Sequence, residues 1–88
     1  MDRYTFIAQP ESMGGHVHFS VMMRGIKQHV FVATALIEAD ARRLLNRGEA
    51  ASHLTKNVCR FVDAARWKNR HGATGAITLH ERDHLKAA

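Results

Sequence analysis

The chain has 88 residues, of which 45% are hydrophobic and 24% charged, with one Pro and six Gly. This length accommodates a single domain spanning residues 1–88, and the composition is that of a folded globular protein rather than a disordered or collagen-like one. Thirteen Lys and Arg against eight Asp and Glu give a net charge of +5, which permits an acidic partner.

Strand patterns dominate the first third of the chain. Apolar and polar residues alternate strictly over residues 16–23, which is typical of a strand with one buried face. A second strand over residues 26–33 follows Arg24 and Gly25, so a two-residue turn is expected to join the two strands as a hairpin. The expected register pairs Met23 with Ile26, Val21 with Gln28, Phe19 with Val30, and Val17 with Val32.

A shorter strand is expected before this hairpin, from Tyr4 to Ala8. Pro10 should end it, because proline has no amide hydrogen to donate to a neighbouring strand. The segment Met13-Gly14-Gly15 is interpreted as a flexible connection to the hairpin.

Two helices and a last strand are predicted after the hairpin. Thr34 is the expected N-cap of the first helix, which should continue through Leu44 and stop at Gly48. The second helix should run from about Ser52 to His71, with Leu54, Val58, Phe61, Val62 and Ala65 on its buried side. The segment from Ala76 to His80 is the expected last strand.

The predicted fold is α+β: a mainly antiparallel sheet of about four strands with two helices packed on one face, in the order β-β-β-α-α-β. The neighbours of the last strand are not defined by this pattern. The predicted core consists of Val17, Phe19, Val21, Val30, Val32, Ile37, Leu44, Leu54, Val58, Phe61, Ile77 and Leu79.

Several short motifs are distributed along nearly the whole chain, and each occurs once. They are Val17-His18-Phe19, Gly25, Val30 with Val32, Leu54 with Phe61 and Ala65, and Gly75-Ala76-Ile77-Thr78-Leu79 with Asp83. In these motifs and in length the chain resembles the domain of unknown function 1488 family of small bacterial proteins. That family has no established activity, so the resemblance implies a fold and provides no catalytic residue.

The sequence also indicates a compartment. A single cysteine, Cys59, excludes an intramolecular disulfide and fits the reducing cytosol. The first residues lack the basic leader and long apolar run of a secretory signal, and no run approaches the ~18 apolar residues of a membrane span. We therefore expect a cytoplasmic protein with no membrane partner.

Histidines cluster on the polar side of the hairpin. His16 and His18 point the same way from one strand, and the register places His29 opposite Ser20 and diagonal to His18. Three imidazoles of this kind are the candidate ligands of an alternative metal site, or of a hydrolase built on it. No Asp, Glu or Cys is expected on that face to orient them, so we predict no cofactor, no tightly bound metal and no enzymatic activity.

Trp67 is expected in the middle of the polar side of the second helix. Five Lys and Arg lie between His53 and His71, opposed only by Asp63. The residues predicted to bind a partner are Lys56, Arg60, Trp67, Arg70 and His71. Cations beside an exposed aromatic ring suit either nucleic acid or an acidic protein, and the sequence leaves both open, together with a structural homodimer. A solvated helix surface, or a Trp67 folded back over the last strand, is the alternative without a partner.

Overall fold

The structure, a computed structural model, describes residues 6–23, 25–70, 76–80 and 83, excepting the side chains of Met23, Asn69 and Arg70. Its elements are β1 (Phe6–Met13), β2 (His16–Met23), β3 (Ile26–Ala33), α1 (Thr34–Ala41), α2 (Arg47–Lys56), α3 (Val58–Arg70) and β4 (Ile77–Leu79). The α+β class is confirmed. The predicted order is wrong in one element, because three helices rather than two lie between β3 and β4.

The four strands form one sheet in the order β1-β2-β3-β4. The pairs β1–β2 and β2–β3 are antiparallel, whereas β4 runs parallel to β3. The sheet is therefore mixed. The parallel pair follows from the connection, since a chain that leaves β3 and returns through helices can place its next strand in the same direction.

The β2–β3 hairpin has the predicted register. Met23 pairs with Ile26 at the turn, and Val17 pairs with Val32 at the far end. Gly25 has a φ of 76°, a conformation that glycine adopts without steric cost. Arg24, the other predicted turn residue, lies outside the described residues. The register is fixed because a slip of one residue would turn the buried Val and Phe side chains towards solvent.

Strand β1 is longer than predicted and contains Pro10. Proline is tolerated here because β1 is an edge strand, and the register shifts between Ala8 and Glu11, on either side of the proline. Residues 14 and 15 form a tight turn into β2, with Gly14 at a φ of 61°. The predicted flexible connection is thus a second hairpin. Tyr4, where the strand was expected to begin, lies outside the described residues.

One hydrophobic core lies between the helices and one face of the sheet. All the predicted core residues are buried except Val58, which is half-buried against the core, and Leu44. Val62 and Ala65, predicted on the buried side of the second helix, are buried as well, and the buried hydrophobic residues that the prediction omitted are Leu36 and Ala50. The helices therefore cover a single face of the sheet, as predicted.

Helix α1 begins and ends differently from the prediction. Its N-cap is Ala33 and not Thr34, no side chain caps the helix, and the amide of Thr34 donates to the carbonyl of Gly15 at 2.9 Å. The helix ends at Arg42, which has a left-handed φ of 60°. Because the helical spacing stops there, Leu44 is 84% exposed and does not join the core.

Gly48 lies inside α2 instead of ending α1. Helix α2 starts at a capping box, in which Asn46 Oδ1 accepts from the amide of Glu49 at 2.8 Å and Glu49 Oε1 accepts from the amide of Asn46 at 3.0 Å. These two reciprocal bonds fix the helix start five residues ahead of the predicted one.

The predicted helix from Ser52 to His71 is broken at Asn57. The amide of Asn57 donates to the carbonyls of His53 and Leu54, and its side-chain Nδ2 donates to His53 as well, at 2.9 Å. These bonds end α2, and α3 begins at the next residue. Within the described part of the chain, no helix is long and apolar enough to cross a membrane.

Truncation of Phe61 to alanine should destabilise the protein by ~3 to 5 kcal/mol, because its fully buried ring lies between α3 and the sheet. Urea unfolding measures this loss. The matched control is Leu44→Ala, which removes an exposed side chain and should change stability by less than ~0.5 kcal/mol. A loss below ~1 kcal/mol for Phe61→Ala would contradict the packing of α3 described here.

Candidate functional site

Trp67 is exposed on α3. Its side chain is 59% exposed, while Phe61, Val62 and Ala65 on the same helix are buried. The helix continues past it to Arg70, so the alternative in which an early helix end lets Trp67 fold back over the last strand is wrong. A large aromatic ring is thus presented to solvent from a helix that is itself anchored in the core.

The predicted basic residues do not share one continuous helix with Trp67. Lys56 is the last residue of α2 and is separated from α3 by the break at Asn57. Arg60 is in α3, whereas the side chain of Arg70 and the whole of His71 lie outside the described residues. The single predicted helix surface is therefore divided between α2 and α3.

Arg60 forms an ion pair with Asp40 of α1. Its Nη1 donates to Asp40 Oδ2 at 3.0 Å and its Nη2 donates to Asp40 Oδ1, which makes the pair bidentate. His53 of α2 bonds the same carboxylate, with 2.7 Å between Nε2 and Oδ2. The Asp40 side chain is only 10% exposed, so one largely buried carboxylate joins all three helices.

The ionised form of Asp40 is favoured in this network. Burial acts to raise the pKa of Asp40, but the hydrogen bonds from Arg60 and His53 outweigh it and lower the pKa below its usual value. Arg60, which was predicted to bind a partner, is therefore engaged in an ion pair within the fold and does not belong to a merely solvated helix surface, the alternative considered for this helix. Asp40 has no local sequence signal, since it lies 20 residues from Arg60.

A second cation of α3 is also paired. Lys68 Nζ donates to the carbonyl of Thr78 at 2.6 Å and to Asp83 Oδ2 at 2.9 Å. Asp83 also accepts from the amide of His80, and these bonds lower its pKa against the opposing effect of burial. This ion pair ties α3 to the end of β4.

The sheet surface opposite the helices, the outer face, carries the histidine cluster. His18 Nε2 and His29 Nδ1 are 3.0 Å apart and hydrogen bonded, and their rings are stacked with centroids 5.2 Å apart. The ring of His18 also contacts Phe31, at 4.8 Å. His16 lies opposite Ala33 on β3 and not opposite another histidine. Of the three predicted ligands, only His18 and His29 therefore contact each other in the described structure. Among the described residues, no group of three or more His, Cys, Asp or Glu is spaced to hold a metal ion.

A carboxylate does lie beside this cluster, contrary to the prediction. Glu11 pairs with His18 across β1 and β2, because β1 extends past Pro10 to Met13. Burial and the neighbouring His29 lower the pKa of His18, and Glu11 acts in the opposite direction. Since Lys27 adds to the lowering, the fold favours the uncharged form of His18.

Comparison with known proteins supports the fold. No family model and no curated protein match the chain. One solved structure is similar along nearly its whole length: a protein of unknown function of the domain of unknown function 1488 family, from Shewanella loihica PV-4. It has 17% identity and a TM-score of 0.75, and the match covers 98% of this chain and 99% of that one. The resemblance inferred from the sequence motifs is therefore confirmed in the fold.

The His18 pair should make stability depend on pH. Because the folded-state pKa of His18 lies below its ordinary value of 6.5, the unfolded chain takes up the proton first as the pH falls. The contribution of neutral His18 to the free energy of unfolding is fully present above pH 6.5 and is lost as the pH decreases below that value. Urea unfolding between about pH 7.5 and 5 should show this loss. His18→Gln should reduce it, and His16→Gln, on the same strand and face, should retain it; equal slopes for wild type and His18→Gln would contradict the assignment.

Metal analysis should find no stoichiometric zinc in protein purified without a His tag. A zinc site needs three or four protein ligands, and the described residues bring together two imidazoles that bond each other. Stoichiometric zinc that disappears in His18→Ala would overturn this prediction and support the metal-binding alternative.

Proposed function

We propose that this chain is a small cytosolic bacterial binding module without enzymatic activity, and that its contact surface is centred on Trp67 of α3. The exposed indole carries this proposal. Trp is enriched at the energetic centres of protein interfaces because it buries a large area at little cost in conformational entropy. Buried Phe61 anchors α3 in the core, so the exposed ring of Trp67 is attached to a helix that is packed in place.

The charge distribution on α3 favours a protein over a nucleic acid as the partner. A nucleic acid would be held by several cations that release counterions from phosphates. Arg60 and Lys68 are instead engaged with Asp40 and Asp83, respectively. Less positive charge is therefore available beside Trp67 than the sequence implied, and contact through the ring becomes the larger contribution.

Affinity capture from a bacterial extract, with the chain immobilised, tests this proposal. Wild-type protein should retain a partner that Trp67→Ala loses, because the truncation removes the central contact. The control Leu44→Ala removes another exposed apolar side chain and should retain the partner. Capture should change little between ~50 and ~200 mM salt, as expected for an interface centred on an aromatic ring.

Oligonucleotide titrations followed by Trp67 fluorescence decide between the two partner classes. We expect no saturable change with single-stranded or duplex oligonucleotides, even at ~50 mM salt, where nonspecific binding is strongest. Saturable binding with a log–log salt slope of about −2 to −3 would assign the surface to nucleic acid instead. Equal capture by wild type and Trp67→Ala would remove Trp67 from the contact surface altogether.

A further inference from the structure

A cleft of about 450 Å³ lies along α2, away from the outer face of the sheet. Its polar lining comprises Arg43, Asn46, Glu49, Ser52, His53 and Lys56. The cleft is open to solvent, and Arg43, Ser52 and Lys56 in its lining are exposed. Lys56, one of the residues predicted to bind a partner, thus lies in this cleft together with the guanidinium of Arg43.

The lining favours an anion. Among the described lining residues, Glu49 is the one carboxylate, and both of its oxygens are engaged: Oε1 accepts from the amide of Asn46 and Oε2 accepts from Arg43 at 3.2 Å. These two bonds, that of Asn46 first, lower the pKa of Glu49, which stays ionised. Arg43 and Lys56 against this single carboxylate leave a positive balance, and the guanidinium of Arg43 has further N–H donors besides the one that Glu49 accepts.

One further group supplies a hydrogen-bond donor. Ser52 carries a hydroxyl that can donate to a phosphate oxygen. His53 is fixed by Asp40, since its Nε2 bonds that carboxylate at 2.7 Å. The cleft therefore combines two cations and a hydroxyl, which are groups that can bind a phosphate.

We propose that this cleft binds the phosphate group of a small phosphate ester, with Lys56 and Arg43 as its cations and Ser52 as a hydrogen-bond donor. The site is separate from the Trp67 surface and does not rest on it. Ester and free phosphate share the same chemistry, and the two are distinguished by the ligands used in the test.

Titrations of untagged protein with inorganic phosphate and with a nucleoside monophosphate, followed by NMR at about pH 7.5, test the site. Both ligands should shift the amide signals of α2 saturably, because phosphate is mostly dianionic at this pH. Tighter binding of the monophosphate identifies the ester as the preferred source, and equal binding identifies free phosphate. Absence of saturable shifts with either ligand would overturn the proposal.

Three variants make the test specific. Lys56→Gln should weaken binding by about 10-fold, because it removes one charge-assisted contact. Glu49→Gln should strengthen binding several-fold, because it removes the carboxylate while glutamine still completes the capping box. Lys27→Gln removes the same charge from β3 on the outer face and should leave the affinity unchanged.

Equal weakening by Lys56→Gln and Lys27→Gln would overturn the proposal, because it would reduce the effect to net charge. Phosphate binding that is unchanged or weaker in a folded Glu49→Gln variant would also overturn the proposal. Urea unfolding of each variant establishes that it is folded, so that loss of binding is not mistaken for loss of structure.

Discussion

The carboxylate of Asp40 is the point at which the three helices meet. It receives the guanidinium of Arg60 from α3 and the imidazole of His53 from α2, while its own backbone belongs to α1. A carboxylate that is only 10% exposed needs such partners, because an unpaired charge in this position is costly. The arrangement depends on the break at Asn57, which lets α2 and α3 approach Asp40 as separate helices. Together with the packing of Phe61, this junction holds α3, and with it Trp67, in position.

The same junction changes the meaning of the net charge of +5. Read from the sequence, the cations of the second half form one basic surface around Trp67. In the fold, Arg60 and Lys68 neutralise the carboxylates that hold α3 to α1 and to the end of β4. Lys56 is placed in a different group, with Arg43 along the cleft of α2. One apparent binding surface is thus divided into structural ion pairs, an exposed aromatic ring and a separate anionic-ligand cleft.

Local patterns were sufficient to predict the hairpin and most of the core. Strict alternation and Gly25 defined the register of β2 and β3, and the apolar spacing around Phe61 identified the buried side of α3. Asn46 and Glu49 form a capping box, and this local signal marks the true start of α2, five residues ahead of the start that apolar spacing predicts. The extension of β1 through Pro10 depends on its edge position, and the pairing of β4 with β3 depends on tertiary packing. The Asp40 junction joins residues 13 and 20 positions apart, and no local pattern encodes it.

A double-mutant cycle between Asp40 and Arg60 tests the role of this junction most directly. Asp40→Asn, Arg60→Gln and the double variant would be compared with wild type by urea unfolding at neutral pH. The account predicts that each single variant is destabilised and that the two losses are not additive, with a coupling energy of at least ~1 kcal/mol. Additive losses, with coupling within ~0.3 kcal/mol of zero, would contradict the claim that this carboxylate holds the helices together.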